Sequence, residues 1–182
     1  MTQFGFARGA AAVGLLALAV VAGPAGAQDA SLGRSVWLTQ ANCADCHGWF
    51  GDGDAEDPRS PRGANLRETG LDAEGLTEVI LCGIPGTAMP HFDAKAYTDD
   101  RCYGMTKADI GDDIPPMSAM PLTKRHAQGL AQFILEDFVG KGAITTEECR
   151  ALLGEESSRC AQYGADAGDA VPAASEHASA AH

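Results

Sequence analysis

Residues 42–48 read NCADCHG: two cysteines three apart, with a histidine directly after the second. Three chemistries use such a cluster: a redox dithiol, a zinc site of thiolates and imidazole, and a c-type haem attachment site. A thioredoxin-like dithiol follows a strand inside a βαβ pattern, whereas here the motif closes a helical segment. A closed zinc site wants four ligands, commonly as two knuckles. No second cysteine pair and no H-x-x-x-H follows, and adjacent Cys46 and His47 are awkward ligands for one tetrahedral ion. Haem explains the spacing better. On a helical turn, residues i and i+3 share a face. Cys43 and Cys46 can therefore form thioethers to both vinyl groups of one porphyrin, and His47 turns under the ring towards the iron.

Working outward, the pattern is helical throughout. DASLGRSVWLTQANCADCH reads as a first helix, capped by Asp29 or Ser31, with Leu32, Val36 and Trp37 as its buried stripe. GWFGDGDAEDPRSPRGANLRETG is loop, rich in Gly, Pro and Asp. LDAEGLTEVILCG predicts a second helix with Asp72 as N-cap, Gly83 at its end, and Leu76, Val79 and Ile80 at helical spacing. IPGTAMPHF is too rich in Gly and Pro for a helix, and residues 93–121 continue irregularly. Such a long connection is usually functional or stapled. A third helix spans LTKRHAQGLAQFILEDFVGKG, with Thr123 as cap and Leu130, Phe133, Ile134 and Phe138 facing inward. TTEECRALLG is a short fourth, where Thr145 and Glu148 have capping-box spacing. From Gln162 an Ala-rich tail of low complexity reads as disordered. Nothing alternates strongly enough to predict a sheet.

The first 27 residues read as a secretory leader: Arg8, then the apolar run GAAAVGLLALAVVAG, then the small residues Ala25, Gly26 and Ala27, with cleavage before Gln28. An uncleaved anchor is disfavoured because that core is short and rich in Gly and Ala. The expected location is the periplasm, with no membrane span in the mature form. The chain carries a net charge of −12, and removing a leader that holds Arg8 and no carboxylate makes it more acidic. That argues against nucleic acid or an anionic membrane surface as partner and suits docking to a basic protein surface. All six cysteines follow the leader. Outside the motif, Cys149 and Cys160 are close in sequence and pair most simply, which leaves Cys82 with Cys102.

With these parts in place, the chain resembles a class I (mono-haem) c-type cytochrome of the exported bacterial type. In that family an N-terminal helix carrying C-x-x-C-H is followed by a short middle helix, a loop with an axial Met, and a C-terminal helix crossing the first. The same order runs here across roughly residues 29–140. The resemblance implies an all-α cytochrome c fold, here with a long loop insertion and a C-terminal helical extension. It implies a signal peptide at 1–27, a cytochrome domain at 28–140 with the insert at 93–121, a disulfide-bearing extension at 141–161 and the tail at 162–182. It implies one covalent haem c held by Cys43 and Cys46, with His47 as proximal iron ligand. Gly33 and Trp37 match the first-helix positions that pack on the last helix.

For the distal ligand, a thioether on a constrained loop is offered by GTAMP (Met89) and by SAMP (Met120), with Met117 and Met105 nearby. GIPGTAMPHF, directly after the middle helix, is similar to the family's G-x-x-G-T-x-M-P loop and selects Met89. Met120 and Met117 are the runners-up, and His91 is a weaker competitor. Two departures stand out. Where many relatives have Gly-Pro-x-Leu, whose carbonyl supports the proximal His, this chain has GANL, with Ala64 in place of Pro. About 30 residues also intervene between the Met loop and the last helix. Arg62 and Arg67 read equally as haem-propionate contacts and as solvated charges.

The expected function is that of a periplasmic one-electron carrier, not an enzyme, between a dehydrogenase or bc1-type donor and an oxidase or other acceptor. The acidic insert reads as a docking element for redox partners with basic surfaces, such as a quinoprotein dehydrogenase or terminal oxidase. The alternatives are a haem enzyme or sensor with an open or labile sixth position, or a fixed cytochrome subunit of a larger oxidoreductase.

Overall fold

A computed structural model describes residues 25–163. The expected leader, up to residue 24, and the tail from 164 lie outside the described residues. The fold is an all-α bundle. Among the described residues there is no strand, only isolated bridges joining His91 to Met117 and Cys102 to Met105.

Helix α1 spans Ala25–Thr39. It starts before Asp29 and Ser31, so neither caps it; the Ala-rich approach from residue 25 holds nothing that would stop a helix. A bend through Asn42, whose φ of +50° suits Asn, leads into the one-turn helix α2, Ala44–His47. After a loop with a single 3-10 turn at Leu66–Glu68 comes α3, Ala73–Cys82. Asp72 caps it, accepting from Gly75 N–H at 2.9 Å. Within the insert, α4 is a single turn, Lys107–Ile110. Helix α5, Lys124–Asp137, is capped by Thr123, and α6, Thr146–Leu153, by Thr145. A 3-10 segment, Ser158–Tyr163, closes the described chain and takes Gln162 and Tyr163 out of the expected tail.

Helices α1 and α5 form the main crossing, and α3 packs on α5. The crossing is bare backbone. A Cβ built on Gly33 would lie 1.9 Å from the Gly129 carbonyl oxygen, and one on Gly129 would lie 2.7 Å from that of Asp29. Just beyond, Trp37 meets Phe138 edge to face at 5.0 Å, and Phe138 meets Phe133 likewise. Val36, Leu130, Ile134, Leu76 and Ile80 complete the buried centre, while Leu32 and Val79 stay half-buried.

The C-terminal extension is part of this core. Cys149, Leu152 and Cys160 are buried in it, and Tyr163 packs on Phe50 at 5.3 Å. Arg34 on α1 donates to the carbonyls of Ala151 and Leu152, satisfying the end of α6 with a cation. Both expected disulfides form: Cys82–Cys102 and Cys149–Cys160. The reciprocal capping box of α6 does not. Thr145 accepts from Glu148 N–H at 3.1 Å, but the Glu148 carboxylate turns to Arg67.

Candidate functional site

Cys43 and Cys46 lie on one helical turn, Cys43 at its N-cap position with helical φ and ψ, and both thiols are free while the other four cysteines are paired. His47 N–H donates to the Cys43 carbonyl at 2.9 Å, which fixes the turn beneath the imidazole. Burial pushes the Cys43 thiol up to about 12, so the free thiol is protonated at neutral pH. Among the described residues, no three His, Cys, Asp or Glu side chains gather as a metal site.

His47 Nδ1 lies 2.9 Å from the Ala64 carbonyl oxygen. A carbonyl only accepts, so Nδ1 carries the proton and Nε2 keeps its lone pair. Burial lowers the pKa of this histidine, the Ala64 contact opposing it, and the ring is neutral at pH 7. The GANL stretch thus supplies its carbonyl through backbone, with Ala where Pro was expected. Gly63 makes the approach possible: a Cβ there would sit 2.6 Å from His47 Nδ1. Its N–H also donates to the Cys46 carbonyl at 2.7 Å, tying the loop to the motif.

Met89 is half-buried and borders the main core, as does Cys43. Its loop closes on Thr87, whose hydroxyl donates to the Ile84 carbonyl at 2.8 Å and accepts from Met89 N–H at 3.2 Å. Met117 and Met120 are 65% and 49% exposed. His91 is buried, with Nδ1 2.9 Å from the Asp93 carbonyl and its ring against Tyr97.

Both arginines have partners within the chain. Arg62 is exposed and pairs with Asp54 at 2.8 Å. Arg67 is 6% exposed. Its guanidinium holds both Glu148 oxygens, at 2.6 and 3.1 Å, and donates to the carbonyls of Phe50 and Gly142. This geometry lends the propionate reading no support and makes Arg67 a tie between the loop after the motif and α6. No local sequence signal pairs residues 81 positions apart. Nor does any sequence signal single out Trp49, two residues past His47, whose Nε1–H is buried without a partner. Such an orphan costs about 1–3 kcal/mol and marks a donor in want of an acceptor.

With this geometry established, comparison with known proteins gives one result. A family model described as "Cytochrome C oxidase, cbb3-type, subunit III" matches residues 28–107, which hold the motif turn, α3, the Met89 loop and the first half of the insert. It indicates a cytochrome-related family. No curated protein and no solved structure matches the chain. Among the described residues, no helix is long and apolar enough to cross a membrane.

Proposed function

We propose that this chain is a class I c-type cytochrome, with an insert at 93–121 and a C-terminal extension at 141–161, that serves as the non-catalytic electron-transfer subunit of a larger respiratory oxidoreductase. The observation that carries the reading is the motif turn: two free thiols three residues apart beside an imidazole whose Nε2 lone pair is set by the 2.9 Å contact to Ala64. The residues fit one haem c. Cys43 and Cys46 would hold it through thioethers, His47 Nε2 and the Met89 sulfur would take the two axial positions, and Trp49 Nε1–H is a free donor beside the motif. Haem c, when bound, supplies exchange of one electron at iron, and a His/Met pair raises its potential. The chain's own part is to fix the imidazole tautomer through Ala64, to hold the Met89 loop through Thr87, and to shield the site with apolar packing.

Similarity to an oxidase subunit favours a fixed place in a complex over free diffusion. On this reading residues 28–140 form the cytochrome domain, delivered to the periplasm by a leader at 1–27. A freely diffusing carrier is the second reading, favoured by the net charge of −12, which would speed encounter with a basic partner. Isolation under mild detergent separates the two. Recovery with oxidase or dehydrogenase subunits in constant ratio is expected; recovery of the chain alone, at monomer size, selects the free carrier. The ferric protein should show the weak far-red band of methionine sulfur on iron, and Met89→Ala should abolish it. Loss of the band in Met120→Ala or Met117→Ala instead would reassign the ligand. High-spin spectra without the band would point to an open sixth position and to an enzyme or sensor.

A further inference from the structure

The insert at 93–121 closes around its own small core of Cys82, Tyr97 and Cys102, lined by Leu81, Ala96, Tyr103, Ile110 and Ile114. Its polar ties converge on one place. Tyr97 Oη donates to the Cys82 carbonyl at 2.8 Å, and Tyr103 Oη donates to the Gly83 carbonyl at 2.6 Å. These are consecutive carbonyls at the end of α3, where helical carbonyls lack intrahelical donors. The Met89 loop springs from that point. Gly83, at φ +66°, lies against the far side of the loop: a Cβ there would meet the Met89 oxygen at 2.6 Å and His91 nitrogen at 2.9 Å. The return of the insert runs along the loop's other edge. Gly86 N–H donates to Asp113, His91 N–H to Pro116, and Ser118 N–H to His91, at 2.7, 3.0 and 2.9 Å.

The backbone gives an independent sign. Three non-glycine residues among those described have positive φ: Asn42, Tyr97 at +60° and Tyr103 at +56°. Asn tolerates this region, but a bulky aromatic residue does not. Two tyrosines kept there, each spending its hydroxyl on the root of one loop, mark a conformation that the surrounding contacts over-determine. Tyr103 N–H is also held, at 3.0 Å, by Glu78 on α3.

We infer that the insert is a clamp on the distal-ligand loop: Tyr97 and Tyr103 are positioning residues that, with the Cys82–Cys102 bond, hold Met89 in place against displacement. The inference rests on the reading of Met89 as axial ligand. It explains why a stapled insert follows the Met loop. Opening the clamp frees Met89 to leave, so an external ligand binds more tightly in proportion to the open population.

The test uses the full-length ferric holoprotein, with imidazole as the probe and loss of the methionine band as the readout. Tyr103→Phe and Tyr97→Phe each remove one hydrogen bond and keep the ring, and each should lower the imidazole concentration at half-displacement by about fivefold. Cys82→Ser/Cys102→Ser should lower it by about tenfold or more. Cys149→Ser/Cys160→Ser, at the other disulfide, should leave it within about twofold, since that bond does not touch the loop. Wild-type displacement in both tyrosine variants would overturn the clamp while Met89 stands as ligand. An equal shift in all variants, the second disulfide included, would overturn it in favour of general loosening. A wild-type band that survives Met89→Ala would remove the ligand reading and the clamp with it. Should the Cys82 variant not fold, the two tyrosine variants decide the matter.

Discussion

Two regions carry a disulfide, and they are built on different plans. Cys149–Cys160 is buried in the main core with Leu152. The extension that holds it is bound to distant parts of the bundle: Arg34 of α1 to the end of α6, Arg67 to Glu148, Arg159 to Glu56 and over the ring of Trp49. Cys82–Cys102 sits in a separate small core, and the hydroxyls of Tyr97 and Tyr103 reach only to the end of α3. The same covalent device therefore secures the whole bundle in one place and a local geometry in the other. Sequence separations of 11 and 20 residues would not tell them apart; the cores on which the bonds sit do.

The sharpest way to break the extension's side of the contrast is Arg67→Ala. It strands the Glu148 carboxylate and two carbonyls, and removing one partner of a buried ion pair costs about 3–5 kcal/mol. Urea unfolding should show that loss in a single transition, and Arg67→Met/Glu148→Leu should recover most of it. A loss below about 1 kcal/mol would make the extension an accessory.

The disulfides come next. Cys149→Ala/Cys160→Ala should cost about 3 kcal/mol and lower stability throughout. Cys82→Ala/Cys102→Ala should act locally. Hydrogen exchange should quicken at Met105 and Lys107, whose amides bond to Cys102 and Tyr97 within the insert, while amides of α5 keep their protection. Equal acceleration in both regions would erase the distinction.

The smallest effect is a pH dependence. Burial, with Tyr97 and Glu78 nearby, pushes the Tyr103 hydroxyl from 10.0 up to about 12. The fold favours the protonated phenol. Its contribution is complete below pH 10 and is lost as pH rises through about 12, because the unfolded chain ionises first. Near-ultraviolet circular dichroism should record a decline in that window, smaller in Tyr103→Phe. An identical decline in the variant would free Tyr103 of the role.

Three helix starts are legible in the sequence because the physics behind them is local, whereas α1 begins ahead of its expected caps Asp29 and Ser31. Asp72, Thr123 and Thr145 each cap the helix that follows, a matter of one side chain and the amide three residues on. The helical turn under Cys43, Cys46 and His47 follows from spacing in the same way. What sequence could not show is pairing across the fold. Glu148 had capping-box spacing, yet a buried guanidinium offers its carboxylate more than an exposed amide does, and Arg67 lies far off in sequence. The hydroxyls of Tyr97 and Tyr103 were equally silent, since their acceptors are carbonyls that any residue could supply. The Ala64 carbonyl could be anticipated only from the shape of GANL, and the proton on His47 Nδ1 only from the contact itself.

The bare crossing at Gly33 and Gly129 gives the bundle a fulcrum. From Gly33 to the end of α1 at Thr39 is about 9 Å of rigid helix, and the bend into Cys43 follows within four residues. A single methyl at Gly33 would stand 1.9 Å from the opposing carbonyl, with no flexible side-chain end to give way. It can be admitted only by prying the helices apart. The C-terminal arm of that lever carries the turn with both thiols and the imidazole, so one carbon atom added far from them would tilt their seat without touching any of them.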